Sequence, residues 1–317
     1  MSEVIKKETR VAYGETLVEL GAEDKNIVVM DADLSGSTKT GMFKKAYPDR
    51  FFNAGIAEGN MVSVAAGLAA CGHTVFVSSF AMFASGRAFE QIRNTIGYPA
   101  LNVKVCASHA GITVGPDGAT HQCLEDIGIM RTIPNMVIIN PADAVEAKLA
   151  IKAAAKHKGP VYMRFGRSAV PVVFDEETYK FEIGKASLLE DGKDVTIIAT
   201  GITVEMALKA RKILEEKGIS ASVLNIATIK PIDVDAVVAE AKKTGAIVTV
   251  EEHNIIGGLG SAVSETVSEH FPVPVLRVGI EDKFGTSGDI PDLLAKYKLT
   301  PEQIVVKAIE AIEKKNK

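Results

Sequence analysis

The sequence is poor in cysteine, lacks tryptophan and contains no long hydrophobic run. Its three cysteines, Cys71, Cys106 and Cys123, are an odd number without a CxxC pair, which argues against a disulfide framework or a zinc ribbon. Cys71 and Cys106 lie in apolar runs, where we expect reduced, buried thiols. No stretch approaches the roughly 18 apolar residues that a membrane span needs, and the first residues contain no apolar signal core. We therefore expect a cytoplasmic protein that is neither secreted nor inserted in a membrane.

Neither positive nor negative charge is in large excess. The chain has 36 Lys and Arg residues against 40 Asp and Glu residues, a formal net charge of -4. Without a basic field, long-range attraction to a nucleic acid or to an anionic membrane surface is not expected. A small phosphorylated ligand needs only a local cluster of cations, so that class of ligand stays open.

Apolar runs rich in β-branched residues alternate with amphipathic segments along the whole chain. Strands that are apolar on both faces and are joined by helices predict a mostly parallel, doubly wound sheet covered on both sides. The predicted strands cover residues 27–30, 74–77, 103–106, 137–139, 161–163, 195–199, 221–224, 247–250 and 275–278. The alternation is interrupted between residues 171 and 193 by a proline and acidic and polar turns. We predict an α/β domain over residues 1–175, followed by a smaller α/β domain over residues 190–317.

Glu58 lies at the start of a predicted helix, between small residues. The run Gly55-Ile56-Ala57-Glu58-Gly59 lets another surface approach closely and withdraw the carboxyl group from water, as proton transfer to a ring nitrogen requires. By itself, such a glutamate would more often be a first-turn residue stabilised by the helix dipole.

Phe80 and Phe83 lie three residues apart on what the pattern predicts to be a nascent helix. In most proteins such a pair belongs to the core. The same pair also offers a face on which a flat heteroaromatic ring can stack. The pattern by itself does not choose between these interpretations.

A loop rich in glycine and histidine follows a predicted strand. Residues 108–122 contain His109, His121 and four glycine or proline residues. Open parallel sheets bind ligands at the carboxyl ends of their strands, where this loop is expected. His109, His121 and Cys123 could be metal ligands, but no fourth ligand follows at a zinc spacing. Polar contacts to a sugar are therefore the favoured interpretation.

Three arginines, Arg10, Arg164 and Arg167, lie outside long charge runs. Arg164 and Arg167 follow an apolar strand, where an arginine is well placed for bidentate contact to a phosphate. A surface salt bridge accounts for each of the three about equally well.

Taken together, these segments resemble the carboxyl-terminal half of transketolase over nearly the whole chain. The most specific likeness lies in residues 55–58, 79–93 and 109–126. The resemblance implies that Glu58 hydrogen-bonds the pyrimidine ring of thiamine diphosphate, that Phe80 and Phe83 stack on that ring, and that Asp33 lines the cofactor site. It also implies a pyrimidine-binding domain followed by a transketolase C-terminal domain.

The same resemblance implies a sugar phosphate substrate. Asp117 falls where transketolases contact a hydroxyl next to the reacting carbon, and His121 falls where they contact the reacting oxygens. Glu58 and His121 are thus the implied catalytic residues. The positions implied for binding the sugar phosphate are Arg10, Ser37, His109 and Arg167.

The resemblance also points to a partner. Full-length members carry Gly-Asp-Gly and a following Asn in an amino-terminal domain, where they bind Mg²⁺ and the diphosphate, and no Gly-Asp-Gly occurs in this sequence. We expect the carboxyl-terminal subunit of a split transketolase, with the Mg²⁺ ligated by an N-terminal partner subunit and not by this chain. Since family members are two-fold dimers, we expect a homodimer within a heterotetramer, with the helices around residues 61–71 and 80–96 buried between chains.

The expected activity is transfer of a two-carbon ketol unit from a ketose phosphate to an aldose phosphate, as in the pentose phosphate pathway. The alternatives are the β subunit of a 2-oxo acid dehydrogenase E1 and a deoxyxylulose-phosphate synthase-like enzyme, which share the cofactor half-site. A small oxo acid has no distal phosphate for Arg167 to hold, and the synthase lacks a histidine at the position of His109. A non-catalytic regulatory subunit is disfavoured because Glu58 and both phenylalanines are retained.

Overall fold

The computed structural model describes residues 5–317. The strands are β1 (Lys6–Glu8), β2 (Ile27–Asp31), β3 (Phe51–Asn53), β4 (Thr74–Phe80), β5 (Val103–Ser108), β6 (Val137–Ile139), β7 (Val161–Arg164), β8 (Ala169–Pro171), β9 (Ser187–Glu190), β10 (Val195–Ala199), β11 (Ala221–Asn225), β12 (Thr228–Lys230), β13 (Ile247–Asn254) and β14 (Val275–Ile280).

The α-helices are α1 (Thr9–Glu23), α2 (Ser35–Thr38), α3 (Gly41–Ala46), α4 (Glu58–Ala70), α5 (Phe89–Gln91), α6 (Asp126–Arg131), α7 (Ala144–Lys156), α8 (Thr203–Glu216), α9 (Val234–Thr244), α10 (Leu259–His270), α11 (Ile290–Lys296) and α12 (Pro301–Lys315). Two π-helical turns, Met82–Arg87 and Ile92–Gly97, flank α5. Two 3-10 segments cover Pro48–Arg50 and Ile112–Asp117. No helix within the described residues is both long enough and apolar enough to cross a membrane.

Two parallel-rich sheets organise these elements. The larger has the strand order β12-β6-β7-β5-β4-β2-β3, and its neighbours are parallel except β12, which is antiparallel to β6. The smaller has the order β14-β13-β10-β11-β9, with β9 antiparallel to β11. A separate antiparallel pair joins β1 to β8. The predicted fold class, a doubly wound α/β domain followed by a second α/β domain, is confirmed.

The larger sheet is covered on both faces. Successive side chains of each strand point to opposite faces, and both sets are buried. On one face Val29 and Phe76 pack with Leu17 of α1 and Ile151 of α7. On the other face Met30, Val75 and Val77 pack with residues of α4 and of the 92–96 turn. Fully burying one such aliphatic side chain contributes about 1.5–3 kcal/mol, so the two faces together hold the strands in register.

Each run predicted as a strand lies within a strand of the structure. The strands that the pattern did not predict, β1, β3, β8, β9 and β12, have only three or four residues. β12 follows the predicted interdomain segment in sequence, yet it extends the larger sheet, with Thr228 opposite Ile139. The boundaries at residues 175 and 190 stay a prediction.

One expectation about the thiols is wrong. Cys106 and Cys123 are buried, but Cys71 is exposed. Cys71 directly follows the last residue of α4, where the chain turns toward β4 at the surface. Its apolar sequence neighbours belong to the buried face of the helix, which the cysteine itself does not share.

The carboxyl ends of β2, β4, β5 and β7 lie side by side, since these strands are parallel and in register. Asp31 is opposite Ser78, Phe80 is opposite Ser108, and Ala107 is opposite Arg164. The loops that leave these strands therefore meet at one edge of the sheet, where doubly wound folds bind ligands.

Candidate functional site

Glu58 is the first residue of α4, and its side chain is only 1% exposed. Its Oε2 accepts a hydrogen bond from Nη1 of Arg87 at 3.0 Å, and its Oε1 accepts one from the Ser79 hydroxyl at 3.4 Å. The free N–H groups of the first helical turn also favour a negative charge at this position. The structure thus places a buried carboxyl group at the edge of the sheet where the strand carboxyl ends meet.

Arg87 links Glu58 to Phe83. Its guanidinium carbon lies 4.9 Å from the centre of the Phe83 ring, and its side chain is 53% exposed. A planar group with N–H donors therefore fits between the Glu58 carboxylate and the Phe83 face, and an aminopyrimidine ring needs that same pair of contacts. Glu58 and Phe83 are thus the residues that would hold the pyrimidine end of thiamine diphosphate, the cofactor that the resemblance implies. The sequence alone assigned no role to Arg87.

The aromatic side chains form a continuous cluster. The Phe80 ring is stacked on His109 with centroids 3.9 Å apart, and it lies 6.1 Å from Phe83. The edge of His121 meets Phe83 at 5.3 Å. The prediction that Phe80 begins a helix is wrong: it is the last residue of β4, and Phe83 lies in the π-helical turn that follows. The extra length of β4 points Phe80 toward the 108–122 loop.

His109 is buried beside two arginines. Burial, and then the positive charges of Arg10 and Arg167, lower the pKa of His109 to about 3. Its Nδ1 lies 2.9 Å from the Ser108 hydroxyl. The imidazole is therefore neutral at physiological pH and can exchange hydrogen bonds with a ligand hydroxyl without adding a positive charge.

The residues predicted to bind phosphate lie together. Arg10 donates from Nη1 to the Ser37 carbonyl at 2.8 Å and from Nε to the Arg167 carbonyl at 3.0 Å. The same Nε is 3.0 Å from a Glu8 carboxylate oxygen. Nη1 of Arg167 is 3.9 Å from Oδ1 of Asp117. The Arg10 and Arg167 side chains, 13% and 37% exposed, thus lie beside each other next to the loop that carries Asp117.

Asp33 lies on a loop that Asp31 holds in shape. Asp33 is exposed, has a left-handed backbone (φ 65°) and accepts a hydrogen bond from Asn53 at 2.8 Å. Asp31 is fully buried and accepts hydrogen bonds from the hydroxyls of Thr38 and Thr40 at 2.6 and 2.8 Å, while burial raises its pKa. Sequence reasoning did not select Asp31, although an acidic residue at the end of an apolar strand was a visible signal.

Arg164 is not available for phosphate, so that interpretation is wrong. Its side chain is 4% exposed, and its Nε donates to Asp126 at 2.9 Å. Its Nη2 donates to the Glu252 carbonyl at 2.8 Å. Arg164 is the last residue of β7 and points into the protein, where a buried carboxylate compensates its charge.

The possible metal ligands do not converge. Within residues 5–317, no group of three or more His, Cys, Asp or Glu side chains is arranged to hold a metal ion. His121 is half-buried, with its Nδ1 3.0 Å from the Thr120 hydroxyl. Burial raises the pKa of the Cys123 thiol, which opposes the thiolate form that binds metals.

Two family models match the chain. Residues 6–173 match the pyrimidine binding domain of transketolase, and residues 184–304 match the transketolase C-terminal domain. Together these matches cover most of the chain.

Three relatives match over nearly their whole length. A Methanocaldococcus jannaschii protein provisionally named as a transketolase C-terminal section is 54% identical, over 98% of this chain and 98% of the relative. The 6-deoxy-6-sulfo-D-fructose transketolase subunit SqwH of a Clostridium species is 45% identical, over 97% and 95% of the two chains. A subunit of the apulose-4-phosphate transketolase of Phocaeicola vulgatus is 43% identical, over 96% and 97%.

Among solved structures, a split gene transketolase described as an inactive beta4 tetramer superposes with a TM-score of 0.90. It is 52% identical, and the match covers 99% of this chain and 100% of that one. The chain therefore belongs to the transketolase family, whose enzymes use thiamine diphosphate.

Proposed function

We propose that this chain is the carboxyl-terminal subunit of a split transketolase, which transfers a two-carbon ketol unit from a ketose phosphate to an aldose phosphate. In this proposal thiamine diphosphate and Mg²⁺ bind between this chain and an N-terminal partner subunit, which ligates the metal. The observation that carries the proposal is the geometry around Glu58. Its buried carboxylate accepts a hydrogen bond from the planar guanidinium group of Arg87, which lies against the Phe83 ring.

Glu58 acts on the cofactor in this proposal. When bound, the cofactor supplies the carbon nucleophile of the reaction. Glu58 hydrogen-bonds a nitrogen of the pyrimidine ring and holds or releases a proton there, while Phe83 and Phe80 fix the plane of the ring. The ring would take the place in which Arg87 donates to Glu58. It would then cover the carboxylate as Arg87 does, so that water would not compete for the proton.

The loop and the arginines act on the substrate. Arg10 and Arg167 are cations at the mouth of the site and attract the anionic end of a sugar. His109 is neutral because its pKa is lowered to about 3, so it exchanges hydrogen bonds with a hydroxyl group. Asp117, Ser37 and His121 complete the proposed contacts, and Asp33 lines the cofactor side.

Comparison with relatives supports a two-subunit enzyme. Two full-length relatives are named as transketolase subunits, and the similar solved structure is a beta tetramer described as inactive. We infer that this chain forms a homodimer that is completed by an N-terminal subunit, giving a heterotetramer. A cytoplasmic location, as expected from the sequence, is part of the same proposal.

The proposed sugar carries a strongly anionic group. Relatives more than 40% identical are named for a sulfonated sugar and for apulose 4-phosphate. Both names denote a sugar with a strongly anionic group, which suits binding by Arg10 and Arg167. We propose a phosphorylated ketose, with the pentose phosphates as the first substrates to test.

The test is to mix the purified chain with its N-terminal partner, thiamine diphosphate and Mg²⁺ and to assay two-carbon transfer from xylulose 5-phosphate to ribose 5-phosphate. We expect turnover from the mixture. Release of CO₂ from pyruvate would instead favour the deoxyxylulose-phosphate synthase-like or E1 alternatives. A mixture that binds the cofactor but reacts with none of these substrates would contradict the proposal.

A further inference from the structure

We propose that Glu252, in the C-terminal domain, is a positioning residue. It sets the conformation of the 108–122 loop and thereby the affinity for the sugar substrate. The inference rests on the proposed function, because that function makes His109, Asp117 and His121 substrate contacts. The C-terminal domain thereby takes part in substrate binding, although it contributes none of those side chains.

Glu252 lies on β13 and is 3% exposed. Its Oε1 accepts a hydrogen bond from the backbone N–H of Thr113 at 2.7 Å, across 139 residues of sequence. Its carboxylate lies directly beneath Gly111, where an added Cβ would be 2.1 Å from the Glu252 Cδ. The loop backbone thus packs directly against this carboxylate, and a side chain at position 111 would clash with it.

Two further contacts tie the same loop to the C-terminal domain. Nε2 of Gln122 donates to the Thr286 carbonyl at 2.9 Å and also to the carbonyls of Ile112 and Gly115. The Ser287 hydroxyl donates to the Pro116 carbonyl at 2.7 Å. The loop is therefore fastened at its start, its tip and its end.

The loop needs such external support because its backbone is unusual. Gly111, Gly115 and Gly118 have φ values of 83°, 79° and 75°, and the non-glycine residue His109 has φ 57°. A left-handed backbone at a residue with a Cβ is unfavourable and persists only where the surroundings impose it. In this loop the imposed conformation is the one that stacks His109 on Phe80.

Glu251 provides a matched control. It is the neighbour of Glu252 on the same strand and is also buried. Its carboxylate accepts hydrogen bonds from the backbone N–H groups of Leu259 and Gly260 at 2.6 and 2.8 Å, at the start of α10. Replacing either glutamate by alanine removes a buried acceptor, but only Glu252 holds the loop.

The first test is amide hydrogen exchange on the isolated chain, which does not depend on the proposed activity. We expect Glu252→Ala to speed exchange at Thr113 and the rest of the loop by about tenfold or more, since a buried hydrogen bond to the Thr113 N–H is lost. Glu252→Gln keeps an acceptor oxygen and should restore most of the protection. Glu251→Ala should speed exchange in α10 and leave the loop unchanged. Equal loop protection in both alanine variants would overturn the inference.

The second test uses the complex with the N-terminal partner. Glu252→Ala should raise KM for the ketose phosphate by about tenfold while cofactor affinity and kcat change by less than about threefold. Glu251→Ala should leave KM unchanged. If Glu252→Ala does not fold, Ser287→Ala should raise the same KM by a smaller factor of about two to three. An unaltered KM in the Glu252 and Ser287 variants of an active complex overturns the inference alone, whereas an inactive wild-type complex overturns the proposed function.

Discussion

Nη1 of Arg87 lies 3.0 Å from Oε2 of Glu58 and joins the π-helical turn Met82–Arg87 to the first turn of α4. The glutamate is buried and the arginine is half-exposed, so the Arg87 side chain lies between the Glu58 carboxylate and solvent. A buried carboxylate without a charged donor is costly, which gives the pair a role in stability as well as in the site.

We therefore expect Arg87→Ala to lower the free energy of unfolding of the isolated chain by about 1–2 kcal/mol, a range reduced for the exposure of the arginine. In a Glu58→Gln background the same change should cost much less, because the charge that needs Arg87 is gone. Urea denaturation of the four proteins measures this coupling. Arg93→Ala, an exposed arginine in the next turn, is the control. A cost of Arg87→Ala that is the same in both backgrounds would contradict the pairing.

Arg167 should matter most for phosphorylated substrates. A charge-assisted contact to phosphate contributes about 1.5–3 kcal/mol, so Arg167→Ala should raise KM for a ketose phosphate by about tenfold or more. KM for an unphosphorylated donor such as hydroxypyruvate should change far less. Steady-state kinetics of the assembled enzyme measure both values.

The control for this comparison is Arg211→Ala on α8, whose guanidinium pairs with Glu190 and Glu215. It should leave both KM values unchanged. If Arg167→Ala weakens both substrates to the same extent, Arg167 does not bind the phosphate.

His109 should stay neutral through the physiological range. Its pKa in the folded chain is lowered to about 3, while an unfolded histidine titrates near 6.5. Below about pH 6.5 the unfolded state binds more protons, so stability falls with pH and loses roughly 2 kcal/mol by about pH 5. His109→Asn should remove this part of the loss, whereas His270→Asn, an exposed histidine, should not. Unfolding free energies at about pH 7.5 and 5 measure the difference, and a wild-type loss equal to that of His109→Asn would be the contrary result.

The isolated chain should be incomplete. In the proposed function it supplies Glu58, Phe80 and Phe83 for the pyrimidine end of the cofactor, and residues 5–317 contain no group of three or more His, Cys, Asp or Glu side chains arranged to hold a metal ion. We expect the chain alone to form a homodimer, to bind thiamine diphosphate poorly and to show no turnover. Calorimetry and analytical ultracentrifugation check this, and tight Mg²⁺-dependent cofactor binding by the chain alone would contradict it.

The sequence predicted the framework of the site well because the central strands of both sheets are apolar on both faces. It placed Glu58 at a helix start, and it located the 108–122 loop at a strand end. Family resemblance, and not periodicity, connected Arg10, Ser37 and Arg167, which the fold brings together from separate segments.

The remaining features depend on contacts between distant segments. Arg87 reaches Glu58 across 29 residues, and Glu252 reaches Thr113 across 139, so no local pattern marks either pair. Arg164 and Arg167 look alike in sequence, yet Arg164 at the end of β7 is buried, whereas Arg167 in the loop after the strand is part-exposed. β12 is too short for a period; it is fixed by its pairing with β6, by burial of Ile229 and by hydrogen bonds from Lys230 to the carbonyls of Arg131 and Ile133.

The central claim is that the carboxyl group of Glu58 exchanges a proton with the cofactor. The most direct test is the rate at which the C2 proton of thiamine diphosphate exchanges for deuterium, followed by rapid quench and NMR in the complex with the N-terminal partner. Glu58→Gln should fold, assemble and bind the cofactor, yet exchange that proton orders of magnitude more slowly than wild type, with turnover reduced in parallel. Exchange within a few-fold of wild type in a cofactor-loaded Glu58→Gln complex would contradict the account.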